Sequence, residues 1–302
     1  MFTALLGCGT FPQVNAITES VNASFGVPVI VTGLLVTVMV TFVILGGINS
    51  ISKVAETVVP FMALFFLGGS MIILFLNAEA LPGAFARIFH DAFAMESVLG
   101  GAAGTTVIAL MTCIRTGVAR GVYTNEAGLG TAPMAHATAS ETVPCKQALY
   151  GIFDVFLDTI VICPLTGLTL LCGAGDQIVW GQSAGAELIS ASFSTVFGAQ
   201  LGSMLVAVGI SLFALSTILS WSYYGERCWG YLTKNKVMIT IYKTAFVMIT
   251  LLGATGSGTL MWDIADTLNG AMAIPNLIAL LALSGVIAKI TKDYFGKLKA
   301  KK

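Results

Sequence analysis

A chain of 302 residues that is 56% hydrophobic and only 10% charged, with a mean hydropathy of +0.90, has too few charges to coat a soluble globule of its size. Its fifteen basic and fifteen acidic residues cancel, which excludes the basic excess that a nucleic-acid surface requires. The pattern of long apolar runs is that of an all-α polytopic membrane protein, because β-barrel strands would show short alternating segments instead.

Seven full spans are predicted near residues 27–46, 57–77, 97–115, 147–173, 196–222, 237–256 and 268–289, preceded by a partial apolar piece at 1–17. Met1 to Gly9 lacks the basic region and cleavage site of a signal peptide. The six cysteines are scattered, with no CxxC and no clustering with His90 or His136. They read as small hydrophobes, and no metal site or disulfide framework follows.

Fourteen of the fifteen Lys and Arg residues fall in the turn around Lys53, the loop with Arg115, Arg120 and Lys146, the segment Arg227 to Lys243, or the tail from Lys289. These are alternate loops, so this side is expected to be cytoplasmic, with the C-terminus inside. The opposite loops carry Arg87 but hold Glu79, Asp91, Glu96, Asp176, Glu187, Asp263 and Asp266. The basic tail at 290–302 reads most simply as a topology anchor, the alternative being a site for anionic lipid or a partner.

Three interruptions of the apolar pattern carry chemistry. In GTFPQVNAITES, residues 9–20, Gln13 and Ala16 share a helical face, so the amide either faces a protein interior or caps an interface. In VLGGAAGTT, residues 98–106, three glycines within five residues weaken a helix. An unwound backbone there would line a cavity and expose N–H groups to an anion and carbonyls to a cation; close helix packing is the alternative. In SLFALSTILSWSYYGER, residues 211–227, Ser216 and Thr217 offer hard oxygen ligands mid-span, or bond back to their own helix. Asp154 and Asp158, four apart near the start of span 147–173, are either functional carboxylates or a helix-end pair. Between the spans, the polar loop 116–146 joins Arg120 to Asn125, Glu126, glycines and a proline, a composition that cannot lie in lipid.

ARGVYTNEAGLGTAPMAHATA, residues 119–139, resembles the signature of the alanine or glycine:cation symporters. FPQVNAI at 11–17, GGINSISKVAETVVPFMALFF at 46–66, GGAAGTT at 100–106 and FALSTILSWSYYGER at 213–227 extend the resemblance along the whole chain. It implies a partial leucine-transporter-like fold of ten core helices in two inverted repeats, running here from the end of the third core helix to the tenth. It implies no enzyme and no cofactor, but symport of alanine or glycine with sodium in the inner (plasma) membrane, with protons as the alternative coupling ion. On that resemblance Gln13, Gly100, Gly101, Gly104 and Thr105 would bind substrate and Ser216 and Thr217 sodium. Arg120, Asn125 and Glu126 would brace the inner gate.

Two departures from the family pattern are Ala102, where many relatives are aromatic, and Pro164, where a hydroxyl residue is common. On that resemblance the first two core helices are missing, so the expectation is a fragment, from a truncated gene or a start at an internal methionine, the lesser reading being a natural short form that pairs with a polypeptide supplying those helices. The alternative is a membrane scaffold that does not transport.

Overall fold

The computed structural model describes residues 2–7, 9–93, 103–178, 186–256 and 258–300. Among them the chain is helical and contains no strand. We number the helices α1 (Phe2–Leu6), α2 (Phe11–Phe25), α3 (Val29–Leu45), α4 (Gly47–Leu76), α5 (Leu81–Phe93), α6 (Ala103–Asn125) and α7 (Ala132–His136). They continue as α8 (Pro144–Gly173), α9 (Ala186–Phe197), α10 (Ala199–Thr233), α11 (Lys236–Gly253) and α12 (Gly258–Ala300). Five of these, α4, α8, α10, α11 and α12, are long and apolar enough to cross a membrane.

Local chemistry sets most boundaries. Pro12 sits in the first turn of α2, where its missing N–H costs nothing, and Gly26 ends the helix in the left-handed region. The 196–222 run becomes two helices because Gly198, at φ 84°, breaks the chain between α9 and α10. Asn235 caps α11 by accepting from the backbone N–H of Val237 at 2.9 Å. Inside α8, residues Leu157–Ile162 form a π-helical stretch.

The organising element is α10, which packs against α2, α3, α4, α9 and α11. Its buried residues Ala214, Ile218, Leu219, Trp221 and Tyr224 form the main core with Val14 and Ile17 of α2, Val36 and Val40 of α3, and Phe246 of α11. A second core joins Ile73 of α4, Phe193 of α9 and Val206 of α10. Leu281 and Phe75, 76% and 81% exposed, face outward. That arrangement is expected where lipid replaces water around the bundle.

Two buried polar side chains pair across the packing. Thr10 donates to the carbonyl of Ala4 at 2.8 Å, joining α1 to α2 across the Gly7–Thr10 break. Asn15 donates to the carbonyl of Gly256 at 3.2 Å, so part of the polar pattern in residues 9–20 locks α2 to the end of α11.

Two sequence expectations change. The chain does not leave its helix after residue 115: α6 continues to Asn125, carrying Arg115 and Arg120 within it. Charge counting also puts Arg120 and Asp266 in loops on opposite sides. Here both are helical residues, and they form an ion pair. Long side chains with partners inside the bundle do not report sidedness as loop residues do.

Candidate functional site

A cavity of about 270 Å³ lies between α2, α4, α8, α9 and α10. Gln13 and Ala16 share its α2 wall, as their helical spacing predicts, with Phe66, Thr166, Gly209 and Phe213 on the facing elements. The Thr166 hydroxyl donates to the carbonyl of Ile162 at 2.8 Å, which leaves the Gln13 amide as the polar feature of a mostly apolar wall. The volume falls below the range for drug-sized ligands and suits a small metabolite.

Gln13 also ties the cavity to a polar layer. Its Nε2 donates to the Tyr123 hydroxyl at 2.9 Å. The Tyr123 ring packs on Trp262 with centroids 5.2 Å apart. The Arg120 guanidinium lies over Trp262 at 4.5 Å and grips Asp266 through two bonds of 3.1 and 3.3 Å. The pair is partly exposed, so its charge attraction alone is worth little; the bidentate geometry and the aromatic face fix its position. Neither Tyr123 nor Trp262 is a sequence-level site residue. Their signal was aromatic rings within and facing a polar, arginine-bearing segment.

The signature loop closes over the end of this layer. Asn125 accepts from the Thr159 hydroxyl at 2.8 Å and donates to the Gly121 carbonyl at 3.2 Å. Glu126 turns the chain at φ 51°, followed by Gly128 at 74° and Gly130 at 82°. A side chain on Gly130 would meet the Asn276 amide at 2.7 Å, so this path requires glycine for both conformation and space. Asn276 itself donates to the Gly128 carbonyl at 2.8 Å, pinning the loop to α12.

Glu126 is the loop's anchor. Its carboxylate accepts from the Thr131 hydroxyl and from Trp221 of α10. Burial raises its pKa above the usual 4.5, the Thr131 and Trp221 hydrogen bonds oppose that rise, and the Asp154 carboxylate adds to it. An acid whose folded pKa is raised stabilises the fold when protonated, and that contribution fades as pH rises through the folded value. Glu126→Gln, which cannot ionise, should therefore melt a few degrees higher than wild type at pH 8. The gap should close as pH falls towards 4.5; a gap independent of pH would mean that Glu126 does not titrate as a buried group.

The other expected site residues are placed as follows. Ser216 and Thr217 of α10 donate to the carbonyl of Phe213 at 2.8 and 3.0 Å. Both therefore sit one turn from a residue that lines the Gln13 cavity. Gly104 and Thr105 are in the first turn of α6, and Gly100 and Gly101 lie outside the described residues. Asp154 borders a groove beside Asn125 and His136. Asp158 lies in the π stretch with its Oδ2 buried and unpartnered.

The whole chain, residues 1–302, matches the model of the sodium:alanine symporter family. The chain belongs to that family. It is 44% identical over 300 residues to an uncharacterized transporter of Haemophilus influenzae, covering 99% of this chain and 64% of that protein. The sodium/alanine symporter AgcS of Methanococcus maripaludis is 44% identical over 293 residues, covering 96% and 62%. The probable sodium/glutamine symporter GlnT of Bacillus subtilis is 36% identical over 290 residues, covering 96% and 59%. The chain thus spans about three fifths of the length of these relatives. The sodium:alanine symporter family comprises carriers, not enzymes, and the five long apolar helices make this member a multi-pass membrane protein.

Proposed function

We propose that this chain serves sodium-coupled symport of a small neutral amino acid, alanine or glycine, by alternating access in the inner (plasma) membrane with its C-terminus cytoplasmic. The cavity beside Gln13 carries the reading: it is small, mostly apolar, and equipped with an amide that a neighbouring tyrosine orients. A short aliphatic side chain suits the walls formed by Phe66 and Phe213. The charged ends of the amino acid need N–H groups and carbonyls, which a broken helix at Gly100, Gly101 and Gly104, with Thr105 beside it, would supply.

Sodium is the coupled cargo in this reading. The hydroxyl hydrogens of Ser216 and Thr217 point at the Phe213 carbonyl, which leaves oxygen lone pairs directed elsewhere as hard ligands. Phe213 belongs to both the cavity wall and this hydroxyl pair, so cation and substrate would be sensed by one turn of α10. Arg120, Asn125 and Glu126 brace the gate, because their contacts hold α6 and its loop to α8, α10 and α12 without touching the cavity.

The test is sodium-gradient-driven uptake of labelled alanine and glycine into vesicles bearing residues 1–302, alone and with the first helices of a longer relative supplied as a partner polypeptide. Uptake in either arrangement supports symport; failure in both sinks it and favours a scaffold. Tyr123→Phe should raise the KM for substrate about threefold to tenfold, since one neutral hydrogen bond that orients Gln13 is worth roughly 1 kcal/mol. An unchanged KM would separate Gln13 from recognition.

A second reading, proton coupling, has one specific support: the buried, unpartnered Oδ2 of Asp158. A carboxyl at such a place is suited to carrying a proton. Asp158→Asn would then abolish coupling to a pH gradient, whereas in the sodium reading it would spare the response to sodium.

A further inference from the structure

The start of α8 and the end of α12 enclose a groove of about 780 Å³, outside the Gln13 cavity and the signature loop. Ile290, Tyr294 and Leu298 recur every four residues and give α12 one apolar stripe. Pro144 forms the facing edge, and the Cys145 thiol approaches the Ile290 carbonyl at 3.7 Å, closing the groove floor. Lys146 and Lys297 stand at the rim from the two helices.

Among the described residues, the rim carries one uncommitted cation. Lys146 is held by Glu141 at 2.9 Å, and Glu141 is engaged in turn by the backbone N–H of Val143 at 3.0 Å. Lys297 is exposed and, among the described residues, has no ion pair. The start of α8 lacks a side-chain cap, so its first N–H groups add positive potential at the same end. Asp293 is the one acid that α12 contributes to the lining.

The apolar side identifies the kind of anion. The floor runs into the outward surface of both helices, where Leu149, Ile152, Leu283 and Ile287 are about half exposed or more. A soluble anion would use the lysines and leave this floor bare. A molecule with an anionic head and an acyl chain would use both.

We propose that this groove binds one anionic phospholipid, its phosphate between Lys146 and Lys297 and an acyl chain along Ile290 and Leu298. The basic tail is then more than a topology anchor: one face of it completes a lipid site. Lys292 and Lys299 project from the opposite side of α12, so they attract an acidic leaflet without entering the groove.

The 302-residue protein would be purified into phosphatidylcholine nanodiscs and titrated with phosphatidylglycerol. Retained phosphatidylglycerol would be counted by native mass spectrometry and the melting temperature followed. Wild type should retain one molecule per chain and melt several degrees higher. Lys146→Gln with Lys297→Gln should weaken retention about thirtyfold, and Lys297→Arg should restore most of what Lys297→Gln alone loses. Lys292→Gln with Lys299→Gln removes the same charge and should leave retention near wild type. Equal losses from both double variants would show diffuse attraction of the tail and overturn the site. So would wild type without preference for phosphatidylglycerol over phosphatidylcholine, or the same stabilisation by glycerol 3-phosphate alone.

Discussion

Alanine at both Ser216 and Thr217 should abolish the sodium dependence of uptake while leaving the protein folded. Among the described residues, each hydroxyl is bonded only to the Phe213 carbonyl of its own helix, apart from a 3.9 Å approach of Ser216 to the Met62 sulfur. Such back-bonds add little stability, and alanine is the better helix former by a few tenths of a kcal/mol. The melting temperature should therefore move by no more than a few degrees. A bound cation, in contrast, would lose two hard oxygen ligands, and a hundredfold or greater loss of sodium affinity is the order expected for hydrogen-bond-strength contacts to a charge. Uptake against sodium concentration and the sodium-dependent shift in melting temperature both read this. If sodium still stabilises the double variant as it does wild type, the ligand assignment is wrong, whatever the transport result.

A large effect on folding is expected at Gly9. A Cβ there would stand 2.5 Å from the Trp221 Cβ, 2.8 Å from its Cγ and 2.9 Å from the Ala4 carbonyl oxygen. None of these atoms is the free end of a flexible chain. Overpacking by one methyl in such a place costs about 1–3 kcal/mol, and a branched side chain costs more. Trp221 is 3% exposed and also donates to Glu126, so displacing it would loosen the signature loop as well as the packing of α1 and α2 on α10. Gly9→Val should lower the melting temperature by more than about 5 °C, shift tryptophan emission to the red and reduce the yield of monodisperse protein. Gly68→Ala is the control: nothing lies within 4 Å of its added Cβ, and a helical alanine there should be neutral or slightly stabilising. A Gly9→Val protein that melts like the control would refute the close contact between the α1–α2 break and α10.

The membrane class was legible because apolar length is a local property of a chain, and the expected spans 27–46, 147–173, 196–222 and 237–256 overlap α3, α8, α10 and α11, although α10 begins after Gly198 and runs on to Thr233. The family was legible in the NEAGLGTAP block, whose glycines the structure explains by positive φ at Gly128 and Gly130 and by the nearness of Asn276. The shared face of Gln13 and Ala16 was legible from helical spacing. The polar layer was not: Gln13 with Tyr123, Arg120 with Asp266 and Gly128 with Asn276 are joined across 110, 146 and 148 residues. No periodicity encodes such a pairing, and charge counting placed Arg120 and Asp266 on opposite sides because it treats every charged residue as a reporter of its nearest loop. Asn15 makes a related point. A buried amide that locks two helices and one that meets a ligand look the same until the Gly256 carbonyl is found beside it.

The π stretch at Leu157–Ile162 gives α8 a property that a uniform helix lacks. Such a stretch accommodates one residue more than the α-helical repeat needs. Deleting one residue there would restore the ordinary repeat and leave the helix beyond it in nearly the same register, because the surplus residue is already absorbed as a bulge. Thr166 would stay on the wall of the Gln13 cavity, and Gln147, which holds His136 at 2.7 Å before the stretch, would keep its place. The helix therefore contains local slack, through which the chain length could change by one residue without redesigning a loop or disturbing the cavity.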